Sequence, residues 1–255
     1  MPALMPSPYR VNKPPAGSRV DWSHPLARGL MLSLDMLEGS GKTTADSTGV
    51  FGTCAIDSGV TWAASGGPHG PALNFGGGAT LNKVYINGTA ALWTFGTGPF
   101  SIEAWFRTTQ NAAGNFFRID NNTNGLIVLR VNTGGVIDWG YFTSARGAIV
   151  YISSPTAYNN GAWHHAVGIR DTVGGLGRLV IDGKQVVTGA DAGGSQSSPA
   201  APVLGEQDAT HDFESYNGQL ACVRVWNRTL TVAEAQQLYA EPYALLRGPD
   251  AWRRL

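Results

Sequence analysis

Apolar and polar positions alternate with a period of two through most of this 255-residue chain, in short runs divided by Gly, Asn, Asp or Pro. A period of two sends successive side chains to opposite faces of an extended segment, so these runs predict half-buried β-strands. The clearest fall near 30–36, 73–75, 84–86, 100–107, 116–120, 126–131, 136–142, 148–152, 163–170, 176–181, 184–187, 202–205 and 220–226. Asp182-Gly183 joins two of them as a two-residue hairpin, because both central residues of a type I′ turn need positive φ. The most specific stretch is 216–234. Val223 and Val225 alternate to one face, Arg224 and Trp226 to the other, and the period then changes from two to about 3.6. Thr231 and Glu234 form a capping box, Leu230 is placed to staple Ala235, and Pro242 stops the helix, which is predicted from Val232 to about Tyr239.

Composition agrees with short strands and tight turns. The 34 glycines are roughly twice the usual share of about 7 per cent. Lys plus Arg equal Asp plus Glu at 18 each, which offers nothing to a polyanion, so neither nucleic acid nor an acidic membrane is an expected partner. Only 14 per cent of residues are charged, which fits either a Gly- and Thr-rich sandwich or a surface covered in an assembly. Residues 1–15 hold five prolines and no apolar run of the kind a secretory leader needs, so synthesis into a cytoplasm is expected. Cys54 and Cys222 are read as buried thiols.

Three parts are expected: an extended Pro-rich arm over 1–20, one domain over 21–240, and a tail over 241–255. Arg10 and Lys13 in the arm, and Tyr243 and Trp252 in the tail, are candidate anchors on a neighbouring subunit. A loose arm at the front and packing back onto the domain at the end are the simpler alternatives.

The blocks Phe100-Ser101-Ile102-Glu103-Ala104-Trp105-Phe106, Trp163-His164-His165-Ala166-Val167 and Leu179-Val180-Ile181-Asp182-Gly183-Lys184, followed by the closing strand and helix, resemble in order and spacing the laminin G-like domains of the concanavalin A-like lectin and glucanase superfamily. The resemblance covers about 70–240. It implies an all-β fold, a two-sheet antiparallel jelly-roll sandwich with one short C-terminal helix. The blocks over 21–30, 70–75 and 238–243 are similar to the subset of these domains encoded by tailed bacteriophages. That likeness implies a non-enzymatic virion structural protein, a capsid decoration or appendage subunit bound to major capsid protein or to copies of itself. The alternative is a carbohydrate-binding adhesin module, with or without calcium, that recognises surface glycans.

Candidate chemistry is sparse. Glu38-Gly39-Ser40-Gly41-Lys42-Thr43 looks like the end of a phosphate loop, but Met36 stands where the first glycine belongs and no helical pattern follows. Asp120-Asn121-Asn122-Thr123-Asn124-Gly125 begins like a calcium loop and lacks the closing glutamate, Val131 standing there. The richer acidic loop carries Glu206, Asp208, Asp212 and Glu214, enough carboxylates for calcium, in a region where laminin G-like domains often hold it. Relatives often carry acids where this chain has Ala221-Cys222, which weighs against a metal; no other cofactor is expected. Glycoside hydrolysis needs two carboxyl groups across a cleft. The acidic pairs here share one loop and Glu103 stands alone on its strand, so no catalytic residue is assigned. Trp139 and Tyr141 share a strand face and, with Tyr151 or Trp93, make either a sugar-stacking platform or part of the core.

Overall fold

The computed structural model describes residues 12–78, 81–120, 125–143, 147–197, 200–206 and 214–247. Strands β1 (Arg19–Val20), β2 (Leu30–Leu34), β3 (Thr43–Ala45), β4 (Thr53–Ile56), β5 (Val60–Ala63), β6 (Ala72–Gly76), β7 (Val84–Tyr85), β8 (Phe100–Thr108) and β9 (Gly114–Ile119) form the first half. Strands β10 (Ile127–Val131), β11 (Ile137–Phe142), β12 (Ala148–Ser153), β13 (Trp163–Asp171), β14 (Leu176–Ile181), β15 (Lys184–Ala190), β16 (Val203–Leu204), β17 (Asn217–Trp226) and β18 (Leu246–Arg247) complete it, with helix α1 (Val232–Ala240) between the last two.

Two antiparallel sheets of eight strands face each other. The first runs β12-β11-β10-β9-β16-β7-β4-β3; the second runs β15-β14-β13-β8-β17-β6-β5, with β2 also paired to β17. The ten-residue β17 spans the second sheet's centre, bonding β8 on one side and both β6 and β2 on the other. Inward positions of both sheets, among them Ile102, Phe106, Phe117, Leu129, Trp139, Val223 and Val225, form one apolar core. Asp182 and Gly183 have φ of 49° and 74°, as a type I′ turn requires. Thr231 Oγ1 accepts from the Glu234 amide and Glu234 accepts from the Thr231 amide, so the capping box is complete. Leu230 and Ala235 are buried in one cluster, as the staple demands.

That cluster is a second apolar layer on the outer face of the second sheet. Val167, Ile169, Val180 and Trp226 meet Leu238 of α1 together with Val20, Leu26, Tyr243, Leu245 and Leu246 from the two ends of the described chain. Over the described residues both ends pack on the domain, so Lys13 and Tyr243 are not anchors on a neighbouring subunit. β1 pairs with β18, Arg19 opposite Arg247 and Val20 opposite Leu246. Tyr243 is fully buried, and Lys13 donates from Nζ to the carbonyls of Asp35 and Ala221, both at 2.7 Å. Burial lowers the Lys13 amine to about 8. Apolar surface and an ammonium with several carbonyl acceptors within reach both gain more by packing on the domain than by staying in water. Arg10 and Trp252 lie outside the described residues.

Beneath Lys13 lies a buried charged cluster. Arg224 Nη2 donates to Asp35 Oδ1 at 2.6 Å and its Nη1 to Glu103 Oε2 at 3.2 Å, all three side chains fully buried. Burial alone disfavours the guanidinium charge, but Asp35 and then Glu103 hold it well above its ordinary value. Glu103 Oε1 also lies 3.0 Å from His165 Nε2. The lone carboxylate of β8 is therefore a structural partner of Arg224 and opens to no cleft. Cys54 and Cys222 are buried, free thiols.

Candidate functional site

The outer layer covers the middle of the second sheet, at β13, β14 and β17, and the candidate surface lies on the outer face of the first sheet. Register decides what stands there. Across β10, β11 and β12, Leu129, Trp139 and Ile152 lie side by side on the inward face, while Arg130, Asp138 and Ser153 lie side by side on the outward one. One step along, Val128, Gly140 and Tyr151 also face outward, and on β9 so does Arg118.

Tyr151 is the centre of this face. The residue is 42% exposed and its ring packs against Gly140, where an added Cβ would stand 2.7 Å from Cδ2 of Tyr151 and 3.2 Å from Cε2 of Phe142. The missing side chain is what lets the ring approach the strand this closely. Tyr151 and Phe142 have ring centroids 6.0 Å apart, and the Arg130 guanidinium sits 6.0 Å from the Tyr151 centroid. The hydroxyl of Tyr151 accepts from Arg130 Nη2 at 2.8 Å and donates to Asp138. Ser153 and Asn132 side chains each donate to Asp138, at 2.7 Å. The hydroxyl of a half-exposed ring is thus tied to Arg130 and Asp138, with Ser153 and Asn132 bonded to the same carboxylate.

Beside it runs a chain of ion pairs. Arg118 joins Asp120 at 2.8 Å and also Glu214; Arg130 joins Glu214 at 2.6 Å and Asp138 at 3.2 Å. Burial pushes the Glu214 carboxyl up, but Arg118 and Arg130 outweigh it and hold that carboxyl below its ordinary value. Burial likewise raises the Tyr151 phenol, helped by its bond to Asp138. Acid–base chemistry needs a carboxyl free to exchange a proton, whereas Asp138 and Glu214 are both committed to arginine. The arrangement sets a half-exposed aromatic ring beside polar groups, the pairing of surfaces that stacking ligands use.

The residues singled out from sequence fall differently. Trp139 and Tyr141 are fully buried in the core, Trp139 donating to the Ile169 carbonyl at 3.3 Å and Tyr141 to Asp191 at 3.1 Å, so neither offers a ring to a sugar. Trp93 is buried too, stacked on Phe51. The partner named with them, Tyr151, is on the opposite face. Of the acidic loop, Asp208 and Asp212 lie outside the described residues. Glu214 is taken by two arginines, and Glu206 is buried with Ser215 donating to it at 2.5 Å. Among the described residues no three His, Cys, Asp or Glu side chains group as a metal site. Arg130, Asp138 and Gly140 were missed because their strands read as core; the signal was present in the outward half of the alternation.

A family model described as the concanavalin A-like lectin/glucanases superfamily, of laminin G type, matches residues 76–236. Among solved structures, the binding domain of Paraclostridial Mosquitocidal Protein 1 superposes with a TM-score of 0.63 at 15% identity, over 84% of this chain and 52% of that one. The binding domain of botulinum neurotoxin serotype G gives 0.61 at 14%, over 82% and 50%. The chain therefore spans about half the length of these toxin domains. Domain 4 of AbnA, an extracellular arabinanase of Geobacillus stearothermophilus solved with arabinotriose, gives 0.60 at 16%, over 82% of this chain and 98% of that one. No curated protein matches the chain in sequence. At these identities the solved structures speak for the fold, and the family match covers well over half of the chain: it belongs to the concanavalin A-like lectin/glucanase superfamily, as a laminin G-type domain.

Proposed function

We propose that the chain is a non-catalytic carbohydrate-binding module whose ligand lies on the outer face of the first sheet, against Tyr151. The observation that carries this is the Tyr151 ring, half exposed and packed against Gly140 with its hydroxyl held by Arg130 and Asp138. A sugar presents a flat C–H face and a ring of hydroxyls, which match an open aromatic ring edged by Ser153 and Asn132. With both arginines neutralised, the face suits an uncharged saccharide. The arabinanase domain solved with arabinotriose and the toxin binding domains, which share this fold, support a binding role.

A glycan array probed with the full chain, in calcium and in chelator, tests the reading. Binding to a defined set of neutral glycans that persists in chelator is expected; binding lost in chelator would move the site to the acidic loop, and silence across the array would end the proposal. Display on a virion is a separate proposal, resting on the likeness of 21–30, 70–75 and 238–243 to phage-encoded domains. It is tested by mass spectrometry of purified particles, and absence of the chain there refutes it.

A further inference from the structure

Where the described ends of the chain pair, a second open groove of about 400 Å³ is lined by Arg19, Val20, Trp22, Ser47, Thr48 and Gly49. Its walls are rigid. Asp46 is fully buried, and its carboxylate accepts from the amides of Ser33 at 2.9 Å, Phe51 at 3.0 Å and Thr48 at 3.1 Å, and from the Thr48 hydroxyl. Those bonds fix the turn over 46–51. On the other side the Asp21 amide donates to the Leu245 carbonyl at 2.8 Å, and Arg247 Nε donates to Asp21 Oδ2 at 2.7 Å, which anchors the backbone just before Trp22.

On this frame stand two groups with unused capacity. The Trp22 side chain is 55% exposed, an unusual position for an indole on a domain that buries Trp93, Trp139 and Trp226 completely. Arg19 is exposed as well. Its Nη1 donates to the Asp46 carbonyl at 3.1 Å and lies beside Gly49, whose φ of +80° shapes the turn there. Among the described residues Arg19 pairs with no carboxylate: Asp46 spends its charge on amides and a hydroxyl, and Asp21 is committed to Arg247. Arg118 and Arg130 on the Tyr151 face are, by contrast, fully paired.

An indole for stacking beside a guanidinium with open donors is complementary to a flat ring carrying a carboxylate, which arginine grips through two parallel N–H groups. The volume lies at the lower end of small-ligand pockets and suits one ring with its substituents. We propose that this groove is a second binding site, for the carboxylate-bearing ring of an acidic saccharide, with Trp22 stacking on the ring and Arg19 taking the carboxylate. The site rests on its own residues and is independent of the Tyr151 reading.

Calorimetric titration of the full chain with glucuronate-terminated and sialate-terminated oligosaccharides, each against its neutral counterpart, tests it. An acidic sugar is expected to bind at least tenfold more tightly than its neutral counterpart, and more weakly as salt rises; which of the two is preferred identifies the ring. Arg19→Ala and Trp22→Ala, both at exposed side chains, are expected to cut that affinity at least tenfold with an unchanged melting temperature, Arg19→Lys to restore part of it, and Tyr151→Ala to leave it intact. No acidic preference, or a preference indifferent to Arg19→Ala and Trp22→Ala, overturns the proposal. Loss in Tyr151→Ala alone would assign the acidic sugar to the other face and overturn it equally.

Discussion

Gly140→Ala separates binding from folding at the Tyr151 face. The new Cβ would stand 2.7 Å from the Tyr151 ring, against 3.4–4 Å for an ordinary contact, so the ring must retreat by roughly 1 Å or swing away. It is 42% exposed and free to do so. Moving it gives up the bonds of its hydroxyl to Arg130 and Asp138, each worth about 1 kcal/mol net and partly replaced by water. Asp138 keeps Ser153, Asn132 and Arg130, so no buried carboxylate is stranded. Against this, replacing a strand glycine by alanine contributes about 0.5–1 kcal/mol of stability through lost freedom of the unfolded chain. The balance is a loss of roughly 1–1.5 kcal/mol. Thermal unfolding followed by circular dichroism is expected to fall by no more than about 6 °C, whereas affinity for a glycan identified on the array falls at least tenfold, about 1.4 kcal/mol. Unchanged affinity would refute Tyr151 as the platform. A fall in melting temperature beyond about 10 °C would refute the argument that the ring is free to yield.

Removing the charge at the centre of the buried cluster acts on folding instead. Arg224→Ala strands Asp35 and Glu103 in the interior, and a loss of about 3–5 kcal/mol is expected in urea unfolding. Thr231→Ala breaks the capping box at α1 and is expected to cost about 1 kcal/mol, read as a melting-temperature drop of about 2–4 °C. Glu214 has its carboxyl held below the ordinary 4.5, so its contribution to stability is present above pH 4.5 and is lost as pH falls through its lowered folded value. Wild type is therefore expected to exceed Glu214→Gln in stability near neutral pH, the gap narrowing as the pH falls below 4.5; a gap that does not narrow on acidification would contradict the pairing with Arg118 and Arg130.

Much of the architecture is legible in the chain because alternation and turn chemistry agree. Asp182-Gly183, the Thr231–Glu234 cap and the change of period after Trp226 each have a local physical cause, and each appears where that cause places it. β3, β4 and β5 are not among the predicted strands, because Thr43–Ala45, Thr53–Ile56 and Val60–Ala63 are three or four residues long, too short for alternation to stand out. At the described ends the partners lie far along the chain. Five prolines suggest an arm, but nothing local reveals that Val20 pairs with Leu246 or that Lys13 finds four carbonyls. At the candidate site, alternation separated Trp139 and Tyr141 from Asp138 and Gly140 without saying which set faces inward. Only the pairing of β11 with β12 puts Tyr151 over Gly140.

The central claim is that a sugar sits on Tyr151, and the most direct measurement is amide chemical-shift mapping of the full chain titrated with a neutral oligosaccharide from the array. Shifts centred on the amides of Asp138, Gly140, Tyr151 and Ser153, absent in Tyr151→Ala, are the predicted result. Shifts centred elsewhere, or unchanged in that variant, would contradict it.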